Sequence, residues 1–170
     1  MIEKLFVLSN QLNMTDWGMI LLGAQGTPAG KLSAPEISDF ACQKIAMSDI
    51  KEPLLTAISE VAFCTSVTDE IISYLEFICN EENVDLQISG RKWRCVALSL
   101  LLENLPSDYV YGSIELNDFW NEWGEPINSP NIVQGVGNNI SPSEYYTADN
   151  YLLLINKHQQ WLNEELKQLI

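Results

Sequence analysis

Nucleophilic catalysis needs a Ser or Cys held beside a base, and this chain offers one imidazole, His158. It falls on the apolar stripe Tyr151, Ile155, His158, Leu162, Leu166 and Leu169, which predicts a packed or capping histidine. Cys42, Cys64, Cys79 and Cys95 stand 15 to 22 residues apart with no CxxC pair. Each lies among apolar residues at helical spacing, so all four are expected as buried, reduced thiols and not as metal ligands or disulfides. No HExxH, P-loop or GxSxG motif occurs. Gly135-Val136-Gly137 follows no strand and opens no helix, so it reads as a loop. Paired carboxylates can do glycosidase-like work, but among 23 acids some pair is bound to look suggestive. No catalytic residue, metal or cofactor is expected.

The carboxylates are more informative as a binding surface. Glu115, Asp118, Glu122 and Glu125 recur at steps of three and four and share one face of a predicted helix, with Leu116, Phe119, Trp120 and Trp123 on the other. Like charges at those steps repel by about 0.2–0.5 kcal/mol per pair, and no Lys relieves them locally. Such a face is either solvated or met by a cation from elsewhere. Asp108, Tyr109 and Tyr111 lead into it, and Tyr and Trp beside acids are the usual composition of anchors against Arg- and Lys-rich surfaces. The competing reading is that Tyr109, Trp120 and Trp123 simply cover the core. A second candidate face comprises Asp69, Glu76, Glu81 and Glu82. Residues 52–90 hold eight acids and no base, and so do residues 95–156. Between them lies the one basic cluster, Arg91, Lys92 and Arg94, expected to be met internally by acids such as Glu81, Glu82 or Asp85.

Helix signals dominate the elements that position these groups. Thr15 is read as the cap of a short helix stopped by Gly23 and Gly26. Ser33-Ala34-Pro35-Glu36 is a strong start, with a capping Ser, an early Pro and Glu three residues on. Pro53 opens a third helix and Thr68-Asp69-Glu70 a fourth. Ser89-Gly90 precedes a fifth, Ser113 caps a sixth that ends at Gly124, and Ser143 or Thr147 starts a long last one. Residues 125–144 read as irregular, and only Val84–Ile88 alternates like a strand. The expectation is an all-α fold of six or seven helices packed in antiparallel pairs, with the Pro/Gly/Asn-rich segment before a long C-terminal helix.

The chain has 170 residues and a formal net charge of −14, with 46% apolar and 19% charged residues. Those are globular values, and the length suits one domain spanning 1–170. The acidity disfavours nucleic acid and anionic membrane as direct ligands, and no apolar run approaches the ~20 residues of a membrane span. A cytoplasmic location is expected. What the charge permits is a basic protein partner.

Three stretches in order resemble a small helical family of bacterial immunity proteins from polymorphic and contact-dependent growth inhibition toxin systems. They are Asp16-Trp17-Gly18 to Gly23 with Leu32-Ser33-Ala34-Pro35-Glu36-Ile37 and Phe40-Ala41; Arg91-Lys92-Trp93-Arg94 with the helix ending Leu102-Glu103-Asn104; and Asp108-Tyr109, Ile114-Glu115 and the aromatic-acidic helix up to Ile132-Val133. The resemblance covers roughly residues 12–137. It implies a cytosolic protein that binds and blocks a cognate toxin domain, most simply a basic nuclease with RNase favoured, as a monomer in a 1:1 complex. The alternative is an acidic helical adaptor with no toxin partner.

Overall fold

The computed structural model describes residues 1–170, with nine helices and no strand. They are α1 (Ile2–Gln11), α2 (Trp17–Gln25), α3 (Ala34–Met47), α4 (Leu54–Ala62), α5 (Asp69–Glu81), α6 (Leu86–Glu103), α7 (Tyr109–Trp123), the single turn α8 (Pro142–Tyr145) and α9 (Ala148–Leu169). The all-α expectation holds. The two helices beyond the expected seven are α1 and α8.

Local capping chemistry sets most of the starts. Glu36 accepts from both the backbone N–H and the hydroxyl of Ser33 at the head of α3. Thr68 and Thr147 accept from Ile71 and Asn150 at the heads of α5 and α9. Three starts differ from the expectation. Asp16, not Thr15, caps α2 by accepting from the Met19 N–H at 2.7 Å, while Thr15 bonds Ser9 and Asn10 of α1. Helix α6 opens at Leu86, so the alternating Val84–Ile88 segment is helical from its third residue. Helix α7 opens at Tyr109 under Asp108, which accepts from Val110 and Tyr111. Ser113 lies fully buried one turn inside it.

The chain divides into two compact units, residues 1–93 and 94–170. In the first, α3 and α4 run antiparallel: the Ser38 hydroxyl bonds the Ala62 carbonyl, and the Cys64 thiol points at the Ala34 carbonyl. Helix α5 packs on both α4 and α2. Seven of the nine residues of α2 are buried, as suits a helix that is apolar all round. Trp93 is 1% exposed and donates its Nε1 proton to the Met19 carbonyl at 2.9 Å.

In the second unit, α7 and α9 run in the same direction, a departure from the antiparallel pairing expected of neighbouring helices. Gly112 faces Tyr151, Leu116 shares a cluster with Leu154, and Trp120 meets His158. Because parallel neighbours need a long return, residues 124–141 cross back without helix. Asn138 closes that segment: its Oδ1 accepts from Gly135 and Ile140, and its amide nitrogen donates to the Val133 and Val136 carbonyls. Gly135 and Gly137 adopt the left-handed conformation there, with φ of 75° and 69°. Tyr145 ties the segment to α8 through a 2.6 Å bond to the Ile132 carbonyl.

Candidate functional site

Of the groups able to do covalent chemistry, His158, Cys79, Cys95 and Ser89 lie inside the fold. Trp120 can only donate, so His158 Nε2 accepts its indole proton at 2.9 Å, and Nδ1 must carry the ring proton, donated to the Leu154 carbonyl at 2.7 Å. Burial pushes the imidazole below its usual range, against the smaller opposing pull of that carbonyl. Cys79 is buried, and its thiol is pushed up to about 11 by desolvation, with the Asp16 and Glu76 charges adding. Cys95 is buried too, whereas Cys64 is half-buried and Cys42 exposed, so the expectation of four buried thiols holds for two. Ser89, also buried, donates to Asp16 at 2.8 Å, and Lys92 pairs with the other oxygen of the same carboxylate at 2.8 Å. No three His, Cys, Asp or Glu side chains gather as a metal site would require.

Two members of the basic cluster, Lys92 and Arg94, are met by acids other than those expected. Because α6 opens at Leu86, Arg91 to Arg94 lie inside the helix and not at its first turn. Lys92 turns to Asp16. Arg94 approaches Glu165 at 3.7 Å, donates to the Gly124 carbonyl at 3.2 Å and lies over the Trp161 ring.

The acidic face of α7 is built as its spacing requires. Leu116, Phe119 and Trp120 are buried, and Glu115, Asp118 and Glu122 are exposed. At 100° per residue, Tyr111 falls on the same stripe at positions i, i+4, i+7 and i+11, and it is 67% exposed. No cation of the chain pairs with Glu115, Asp118 or Glu122. Glu122 also sits in the last turn of α7, where no basic residue offsets the dipole. Burial raises the Tyr151 phenol, and the nearby charges of Glu115 and Asp108 add to it.

The other expected site residues separate into roles. Asp108 is the cap of α7, and Tyr109 is 40% exposed on the side of the helix that turns toward the core. Glu125 lies past the end of α7 and holds Ser129 and Asn131. On α5, Asp69 and Glu76 share an exposed face, while Glu81 and Glu82 close the helix, again without a basic residue in the last turn. Two features went unread in the sequence. Ile114, 40% exposed, flanks the α7 stripe. An open groove of about 470 Å³ runs between α4 and α5, lined by Pro53, Thr56, Ala57, Ser73, Tyr74 and Phe77 with Glu70. Its signal was Phe77, an aromatic on the polar side of an amphipathic helix.

No helix is long and apolar enough to cross a membrane. A family model described as an uncharacterized protein conserved in bacteria (DUF2247) matches residues 6–166, so the chain belongs to that bacterial family. No curated protein and no solved structure matches it.

Proposed function

We propose that this member of the bacterial family is an immunity protein that binds a cognate cationic toxin domain one to one and covers its active site or substrate groove. The observation that carries the reading is the α7 stripe of Tyr111, Glu115, Asp118 and Glu122, exposed and without an intramolecular cation. The resemblance of the sequence, in the order of its motifs, to immunity proteins adds a second support. Nucleases bind phosphate through Lys and Arg, so their grooves are the cationic surface that such a stripe complements, and RNases are the first class to test. Charge pairing speeds encounter, and desolvated anchors such as Tyr111 slow release.

The test is co-expression with a toxin domain encoded directly upstream of the gene. Growth is expected to be restored, and the two chains are expected to co-purify in equal amounts. Absence of both rescue and co-purification overturns the reading and leaves the acidic adaptor in its place.

A further inference from the structure

We infer that the groove between α4 and α5 is a second docking site, which takes an apolar side chain of a basic protein segment with Lys or Arg on both sides of it. The groove floor is apolar and aromatic, from Pro53 at the head of α4 and Ala57 within it to Tyr74 and Phe77 on α5. Its volume of about 470 Å³ exceeds what one large side chain fills. The two helices are antiparallel neighbours joined by the short connection 63–68. Helical spacing therefore sets acids at both ends of the groove. Glu60 continues the Thr56–Ala57 stripe of α4 toward the end where Glu70 lines the groove. At the other end Glu52 precedes Pro53 and receives the Thr56 N–H and hydroxyl, and Glu81 lies one turn past Phe77.

Residues 52–90 contain no cation, and Lys51, which adjoins Glu52, forms no ion pair with these acids. An apolar floor closed by carboxylates at both ends matches an apolar anchor flanked by cations. It opposes a second copy of this chain, whose net charge is −14. The inference deepens the reading above and rests on it only for the partner being a cationic protein.

Two synthetic peptides test it on the full chain at low salt, one of sequence Lys-Lys-Trp-Lys-Lys and one with Ser in place of Trp. The Trp peptide is expected to shift the amide resonances of Thr56, Ser73, Tyr74 and Phe77, and the Ser peptide to bind about tenfold more weakly. Glu70→Lys with Glu81→Lys is expected to weaken the Trp peptide by at least about threefold. Ser73→Trp, which fills the groove from an exposed position, is expected to abolish those shifts while leaving the fold intact. Equal affinity for both peptides, shifts centred elsewhere, no shift at millimolar peptide, or self-association that covers the groove each overturns the inference. If the groove binds the Trp peptide but no toxin is neutralised, the immunity reading falls alone. If neutralisation stands and the groove stays empty, the groove proposal falls alone.

Discussion

Trp120 and His158 are joined by a 2.9 Å hydrogen bond in which the indole donates and Nε2 accepts. His158 is 0% exposed, so the bond fixes a neutral ring inside the core of the α7–α9 pair. Protonation would set two N–H donors against each other in a site without water access.

The sign of the resulting pH dependence follows from the lowered pKa. The unfolded chain binds the proton near the ordinary value of about 6.5, the folded chain only below it. His158 therefore costs no stability above about pH 6.5, and stability falls as pH drops from there toward the folded pKa. Urea denaturation between pH 7.5 and 5.5 should show this loss in the wild type and less of it in His158→Gln. At pH 7.5 Trp120→Phe, which leaves Nε2 buried and unpaired, should lower stability by about 1–3 kcal/mol.

Asp16 holds three partners at once: the Met19 N–H, the Ser89 hydroxyl and the Lys92 ammonium. Asp16→Ala removes the cap of α2 and strands a mostly buried cation, with an expected loss of about 2–4 kcal/mol. Asp16→Asn keeps an acceptor for the cap and should cost less. Denaturation midpoints at unchanged slope measure both.

Two glycines in helices should respond oppositely to alanine. A Cβ on Gly112 would stand 2.0 Å from Tyr151 Oη, whose hydroxyl is fixed by a 2.7 Å bond to the Pro106 carbonyl. Gly112→Ala should therefore destabilise by about 1–3 kcal/mol. A Cβ on Gly90 would meet only Leu22 Cδ1 at 3.9 Å. Gly90→Ala should stabilise by about 0.5–1 kcal/mol through helix propensity. Thermal unfolding of the two variants separates them, and equal shifts would contradict the close approach of α7 to α9.

Reversal of Glu115, Asp118 and Glu122 to Lys should leave stability within about 0.5 kcal/mol, because all three are exposed and unpaired. Association with a neutralised toxin domain should slow by about tenfold or more and lose most of its salt dependence. Stopped-flow mixing at two ionic strengths measures this, and unchanged kinetics would move the interface off α7.

The helices with a strong local cap were legible. Ser33 with Glu36, and Thr68 with Asp69 and Glu70, carry their starts in adjacent residues, and α3 and α5 begin where those signals stand. The α7 face was legible because its period is long enough to be unambiguous. The start of α7 was not, since Asp108 and Ser113 are both capping types and only burial tells them apart. Five alternating residues such as 84–88 cannot distinguish a strand from a helical turn. The partners of Lys92 and Arg94 were hidden for another reason: Asp16 and Glu165 lie more than 70 residues away in the chain, beyond any local pattern. The α4–α5 groove likewise exists only once the two helices are paired.

The shared direction of α7 and α9 has a consequence during synthesis. When α7 emerges from the ribosome, Leu116 and Trp120 lack the α9 part of their cover, because Leu154 and His158 belong to a helix not yet translated. The irregular return must pass first. Over that interval the nascent chain displays an acidic stripe on one side of α7 and bare aromatics on the other. The exposed carboxylates of Glu115, Asp118 and Glu122 would then keep this half-built helix from sticking to its neighbours.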